Sequence, residues 1–178
     1  MFRGSKVSAD ILQSDIDKQI LTIQCIVGLA QYQGLICQHI YGHKPGERTA
    51  QEILSDTARL DRSLLSWARD VPEAFRPGND LFCSNHEFHF AALLSIQYYQ
   101  ALIALHRAAL IAPASTFQSE VAKYNFDDSS KLRLLAGEAI CVNSARSIAR
   151  LTIELSDRNV QSRIMTAGPP LMACIVLG

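Results

Sequence analysis

One stretch of the chain is apolar around nearly its whole circumference. Residues 86–112, HEFHFAALLSIQYYQALIALHRAALIA, contain neither Gly nor Pro, so they predict one helix of about seven turns at roughly 3.6 residues per turn. Such a helix is either a membrane span or the central rod of a helical domain. Its longest charge-free window, residues 90–105, is shorter than the roughly 20 residues that cross a bilayer. The sequence therefore predicts a core helix and no membrane partner.

The residues before this central helix predict two more helices. The first is capped by Ser14 or Asp15 and ends before Gly42, and the second starts at a capping box of Thr49 and Glu52. Apolar residues at steps of three and four predict the buried face of each helix. In the first helix these are Ile16, Ile20, Ile23, Val27, Ala30 and Gly34. In the second they are Ile53, Thr57, Leu60, Leu64, Trp67 and Val71.

Two helical segments follow the central helix. Asp128 or Ser129 is expected to cap a helix that runs to about Asp157, and Gly168 opens a last apolar segment. The longer of these two is amphipathic. Its polar face has Asn143, Arg146, Arg150, Glu154 and Asp157, and its apolar face has Cys141, Ala145, Ile148, Thr152 and Leu155. The prediction is an all-α fold with about five helices packed around the central helix, roughly residues 86–112.

Composition limits the classes of partner. The chain has 17 basic and 17 acidic residues, and a nucleic-acid-binding surface normally needs a basic excess or stripe. We therefore expect no direct nucleic acid binding by this chain. Its five cysteines are widely spaced and odd in number, which is typical of reduced core thiols in an intracellular protein. The short basic start lacks the apolar core of a secretory signal.

Polar side chains on the central helix follow one narrow line. The line consists of His86, His89, Gln97, Gln100 and Arg107. Polar groups on an otherwise apolar helix require water, partner side chains or a ligand. One interpretation is that they are solvated or bonded to neighbouring helices. The other is that the line borders a groove where an effector or another domain docks, with Arg107 as its anion-compatible end.

The sequence gives no support for a catalytic or metal-binding site. Cys83, His86 and His89 have the spacing C-x-x-H-x-x-H, but a structural zinc site needs a fourth ligand at comparable spacing and none is near. The chain lacks G-x-S-x-G, P-loop and G-x-G-x-x-G motifs. We predict no catalytic residues, no metal ligands, no cofactor in this chain and no enzymatic activity.

Four pieces of the sequence, in order, resemble the fungal-specific transcription factor domain, the middle homology region of fungal binuclear zinc-cluster regulators. The pieces are residues 60–78, 88–110, 141–151 and 168–178. Residues that fall on the family pattern are Trp67, Val71, Pro72, either Tyr98 or Tyr99, His106, Arg107, Cys141, Ala145 and Arg146. Ala108 stands where the family usually has Pro, so the central helix is expected to continue past the usual break by a turn.

This resemblance implies a regulatory module of a nuclear, DNA-binding regulator. From the sequence we expect residues 1–9 to be a frayed N-terminus and residues 10–178 to be a single helical domain. The resemblance implies that this domain is regulatory and is a fragment of a longer middle homology region. Zinc is expected only in an N-terminal cysteine cluster, which this chain lacks. The expected partners are other domains of the same regulator or co-regulator proteins, and a small-molecule effector.

Two other classes of function are compatible with the pattern. The first is a small-molecule-binding helical protein or enzyme, whose pocket would be lined by the polar line of the central helix. The second is a helical scaffold that only mediates protein contacts. A cysteine cluster of the form C-x-x-C-x-x-x-x-x-x-C encoded upstream would separate the regulator from both.

Overall fold

Helices account for all the regular structure that the computed structural model describes, which covers residues 4–44, 46–78, 85–158 and 168–177. For residues 4–19, 85–87 and 168–172 it describes the backbone alone. A π-helical turn, Cys37–Tyr41, follows the first helix, and a 3-10 turn, Glu73–Phe75, follows the second. The α-helices are α1 (Gly4–Ile36), α2 (Ala50–Asp70), α3 (Asn85–His106), α4 (Ala108–Ile111), α5 (Ala114–Lys123), α6 (Asp128–Leu135), α7 (Gly137–Asp157) and α8 (Gly168–Leu177). The all-α prediction is confirmed.

Local capping chemistry sets the start of α2 as the sequence predicts. The Thr49 hydroxyl accepts a hydrogen bond from the Glu52 backbone N–H at 3.3 Å, and the Glu52 carboxylate accepts from the Thr49 N–H at 2.8 Å. The start of α1 differs from the prediction, because the helix begins at Gly4 and runs through the expected caps Ser14 and Asp15. No Gly or Pro interrupts residues 5–27, so nothing in the sequence stops the helix there.

The central helix is interrupted near its C-terminal end. α3 ends at His106, and α4 adds one turn after Arg107, which keeps helical angles of φ −53° and ψ −31°. The predicted continuous helix is therefore interrupted by one residue, and the extra turn expected from Ala108 is present. At this interruption α7 approaches closely, since a Cβ on Gly137 would lie 2.8 Å from the Cβ of Ala109.

The helix predicted from residue 128 to 157 is two helices. α6 ends at Leu135 and α7 begins at Gly137, with Ala136 between them at φ −82° and ψ 4°. The cap of α6 is Asp127, one residue before the expected Asp128 or Ser129, and its carboxylate accepts from the Ser130 N–H at 2.9 Å. The predicted faces of α7 are confirmed, with Cys141, Ala145, Ile148 and Leu155 buried.

α3 is the core helix, as predicted. It contacts α1, α2, α7 and α8, so side chains on several of its sides are buried. On one side Leu94 and Tyr98 pack with α1 and α2. On another side Phe88, Ile96 and Ile103 pack with α7 and α8. An apolar helix that neighbouring helices cover on several sides is the core helix of a helical domain, as the sequence predicts.

The buried face of α1 is not the one predicted. Ile20, Ile23 and Val27 are exposed, and the core side of the helix has Leu29 and Ile36 instead. The other members of the predicted face, Ala30 and Gly34, are exposed too, while the Ile16 side chain is outside the described part. Both sides of α1 are apolar, so periodicity alone cannot choose between them.

Two predictions about single residues are only partly met. Trp67 of the predicted buried face is half-buried rather than buried, and its ring stacks at 6.1 Å on Tyr98 of the central helix. Among the described cysteines, which are all free thiols, Cys25 and Cys141 are buried and Cys37 and Cys174 are exposed. The expectation of core thiols is therefore correct for two of these four.

Among the described residues, two helical segments have the length and apolar composition of a membrane span. They are Ile20–Tyr41, with 17% of its apolar 18-residue window buried, and Phe88–His106, with 61% of its window buried. The second belongs to the core helix α3, which accounts for its composition. The first includes the exposed face of α1.

Candidate functional site on the central helix

The polar line of α3 begins near its N-terminus with two histidines. The His86 side chain lies outside the described part of the chain. His89 is half-buried, and its ring meets Phe90 edge-on at 5.5 Å. Its Nδ1 is buried and makes no hydrogen bond to the described residues. An unpaired buried polar atom costs about 1 to 3 kcal/mol, so among the described residues this end of the line carries a polar group without a partner.

The middle of the line borders α1. Gln97 and Gln100 are half-buried. The Gln33 side chain of α1 donates a hydrogen bond to the Gln97 carbonyl at 3.3 Å, and the Tyr41 hydroxyl donates to the Ala104 carbonyl at 2.6 Å. These bonds fix α1 and the π-helical turn alongside the line. The two glutamine side chains thus lie at an edge between helices, partly open to solvent.

Arg107 ends the line, at the single residue between α3 and α4. It is exposed and lies beside Tyr41. Burial raises the pKa of the Tyr41 hydroxyl, and a hydrogen bond from Arg107 offsets part of that rise. A guanidinium stays charged and can bind a carboxylate or phosphate through two parallel hydrogen bonds. The line therefore ends in a fixed, accessible positive charge.

A second polar group lies in the interior, where sequence analysis had not placed one. His106 Nε2 is 2.9 Å from Asp61 Oδ1, and Arg133 donates two hydrogen bonds to the same carboxylate at 2.7 and 2.8 Å. Because an ionised carboxylate can only accept, Nε2 of His106 carries the proton. We call these three residues the ion cluster. It joins α2, α3 and α6.

The ion cluster keeps its carboxyl ionised. Burial raises the pKa of Asp61, but the hydrogen bonds from Arg133 and His106 outweigh that effect and lower it to about 2. Nearby, burial raises the pKa of Tyr98 to about 12. The side chains of Asp61 and His106 are 4% and 2% exposed, so a substrate cannot reach them. The arrangement suits a clamp between helices better than acid–base catalysis.

A smaller charged group holds the π-helical turn against α2. Arg48 donates to the carbonyl of His39 in that turn, and it also pairs with Asp56 at 2.6 Å. Arg59 pairs with the other oxygen of Asp56 at 2.8 Å. Arg59 is half-exposed, and exposed ion pairs contribute little to stability. The main effect of the group is to fix where the turn lies, and with it Tyr41.

No metal site is formed by the residues that can be described. Among them, no group of three or more His, Cys, Asp or Glu side chains is placed to hold an ion. Of the C-x-x-H-x-x-H pattern, Cys83 and the side chain of His86 fall outside that part of the chain.

Signals for the ion cluster were weak in the sequence. Asp61 is one of several charged residues on α2, and only its position next to Leu60 and between Thr57 and Leu64 indicates burial. Its partners His106 and Arg133 are 45 and 72 residues away. A charge on the buried side of a helix needs a partner, but the sequence does not say which.

Comparison with known proteins yields one informative similarity. The chain is 24% identical over 139 residues to an uncharacterized transcriptional regulatory protein of Schizosaccharomyces pombe. The aligned residues are 76% of this chain and 17% of that relative, so the chain spans about a sixth of the relative's length. No family model and no solved structure matches the chain.

Proposed function

We propose that this chain is the regulatory, middle homology region of a fungal zinc-cluster transcription factor. In this proposal it acts in the nucleus and modulates transcription without enzymatic activity and without a cofactor of its own. The DNA-binding zinc cluster belongs to another part of the regulator. The partners are other domains of that regulator or co-regulator proteins.

The observation that carries the proposal is the similarity to a transcriptional regulatory protein. It extends over 139 residues, most of this chain, but over only 17% of the relative. A module of this size inside a much longer protein is consistent with a regulatory region that acts together with separate domains. The absence of a basic excess, with 17 residues of each sign, is consistent with DNA binding being done elsewhere.

Packing of the residues that carry the family resemblance is consistent with the proposal. Trp67 of the first piece stacks on Tyr98 of the second. Cys141 of the third piece donates to the carbonyl of Ile103 at 3.8 Å, and Ala145 is fully buried. These residues all pack around α3. The first three pieces of the resemblance therefore contribute to one common core.

In this account the polar line is where the region receives its signal. Its glutamines lie half-buried at the edge between α3 and α1, and Arg107 supplies an accessible positive charge at the end. A partner carrying a carboxylate or phosphate would pair with Arg107 and hydrogen-bond the glutamine amides. The ion cluster at the end of α3 holds this helix against α2 and α6, so the docking surface keeps its shape.

Reporter assays in the intact regulator test the docking role. Changing Gln97 and Gln100 together to Ala removes four hydrogen-bonding groups without altering charge. Transcription of a target promoter should change while the protein level stays constant. The matched control is Gln118→Ala, at an exposed position of α5, which should leave output unchanged. Unchanged output with both sets of variants would reject docking on the polar line.

The family assignment has its own test in the gene. The reading frame upstream of this chain is expected to encode six cysteines that begin C-x-x-C-x-x-x-x-x-x-C next to a basic segment. An intact gene without such a cluster would exclude the zinc-cluster regulator and favour a helical binding protein or scaffold.

A further inference from the structure

A second apolar face runs along α1, opposite the side that packs on the core. Ile20, Ile23 and Val27 on this face are 50%, 60% and 51% exposed. The core side contributes Leu29 and Ile36, which are 0% and 2% exposed. Isolated exposed apolar residues are ordinary, but several aligned along one helix mark an interaction surface.

The spacing of this face indicates what kind of partner it fits. Its members are Ile20, Ile23, Val27, Ala30 and Gly34, separated by alternating steps of three and four. Apolar residues that repeat every 3.5 residues on average pack into the matching spaces of another helix with the same repeat. The exposed face of α1, which we call the α1 strip, therefore fits a helix.

The charges around the α1 strip allow two identical copies to meet. Between Lys18 and Lys44 the chain has no Asp, Glu, Lys or Arg, and the exposed Gln24 and Gln31 flank the strip. Two such faces would meet without like-charge repulsion, and their glutamines could hydrogen-bond each other. A helix that lies on a membrane surface usually carries Lys and Arg on its polar side, which is not the case along this segment.

The sizes of the side chains are complementary when the two helices run in opposite directions. In one antiparallel register the large Ile20 faces the small Ala30 of the other copy, and Ile23 faces Val27. Alternating large and small residues across facing positions lets the layers interlock. The same register applies to both copies, as a two-fold symmetric interface requires. We propose that the chain self-associates through an antiparallel pairing of the α1 strip with that of a second copy.

Sedimentation velocity of the full chain tests this proposal over low micromolar to submillimolar concentrations. The average mass should rise from one chain toward two. Ile23→Glu places two carboxylates in the interface and should weaken association by about tenfold or more, because like charges there are strongly unfavourable. Ile153→Glu is the matched control, since Ile153 of α7 is 62% exposed, and it should associate as the unchanged chain does.

Disulfide trapping tests the antiparallel direction with variants that need not perturb the fold. The exposed Cys37 and Cys174 are first changed to Ser. A chain with Ile23→Cys mixed with a chain with Val27→Cys should form more mixed disulfide than either chain forms with itself. Preferential pairing of like with like would contradict the antiparallel register.

Three results would overturn self-association. One is a wild-type chain that stays monomeric at the highest concentration. Another is equal association by Ile23→Glu and the wild type, which would place any interface elsewhere. The third is binding of the monomer to uncharged phosphatidylcholine vesicles that is lost in Ile23→Glu, which would make the α1 strip a lipid contact.

Discussion

Asp61 of α2 and His106 of α3 are 45 residues apart in the chain and meet at 2.9 Å in the protein interior. The carboxylate also accepts two hydrogen bonds from Arg133 of α6. Isolated burial of this charge would be strongly unfavourable. Together the three side chains satisfy one another and fix the relative positions of three helices.

Removing the charge at the centre of this cluster should be costly. In Asp61→Asn, His106 and Arg133 lose their anionic partner, and breaking a buried pair from one side costs about 3 to 5 kcal/mol. We expect the free energy of unfolding in urea to fall by about that amount. Asp70→Asn, at an exposed position of the same helix, should change it by less than about 0.5 kcal/mol. Similar losses in both variants would contradict the clamp.

Lowering the pH should weaken the interaction of Asp61 with His106 and Arg133 over a defined pH range. The pKa of Asp61 is lowered from 3.8 to about 2 in the folded protein. A carboxyl whose folded pKa is lowered stabilises the fold above its unfolded pKa, and this contribution is lost as pH falls toward the folded pKa. The stability difference between wild type and Asp61→Asn should therefore shrink by about 2 kcal/mol between pH 5 and pH 2.

Urea titrations at several pH values measure that difference directly. Other acidic groups contribute to both proteins and largely cancel. A difference that stays constant down to pH 2 would show that the carboxyl is not held by His106 and Arg133 as described.

Replacement of Gly28 and of Gly34 in α1 by Ala should change the stability of the fold by different amounts. A Cβ on Gly28 would lie 2.9 Å from Trp67 Nε1, whereas one on Gly34 would meet nothing within 4 Å. Gly34→Ala should gain the helix-propensity difference of about 1 kcal/mol. Gly28→Ala should be at least about 1 kcal/mol less stable than Gly34→Ala, because it displaces the indole from its packed position.

Fluorescence gives an independent measure of that displacement. Trp67 is the only tryptophan in the chain. Its emission should shift in Gly28→Ala and not in Gly34→Ala. Identical spectra and stabilities would contradict the contact between α1 and the indole.

DNA affinity should be weak and nonspecific. The chain has no net charge, and binding to duplex DNA depends mainly on neutralising phosphates with Lys and Arg. In an anisotropy titration, we expect no saturable binding at physiological salt. Tight binding that weakens steeply with added salt would contradict the assignment of DNA recognition to another domain.

The sequence correctly predicted the structural features that depend only on residues close together in the chain. The capping box of Thr49 and Glu52 forms as expected because its hydrogen bonds span only three residues. The same holds for the two faces of α7, because only one of them is apolar. The face of α1 could not be chosen in this way, since the helix is apolar on both sides and its packing against α3 decides which one is buried.

The candidate site shows the same limit. Spacing alone aligned Gln97, Gln100 and Arg107 on one face of the helix. It could not show that Tyr41 would lie beside Arg107, because these residues are far apart in the chain. The π-helical turn brings Tyr41 there, and its hydroxyl donates a hydrogen bond to the carbonyl of Ala104, 63 residues away. Asp61 was missed because its partners His106 and Arg133 are 45 and 72 residues away in the chain.

The most direct measurement for the proposed regulatory role is transcription from a reporter. The chain is fused between an unrelated bacterial DNA-binding domain and an activation segment, and output is compared with a fusion that has a flexible linker of equal length. The account predicts a severalfold change in output that is lost with Gln97 and Gln100 changed to Ala and kept with Gln118→Ala. Output equal to that of the linker fusion, at equal protein level and with the chain folded, would contradict it.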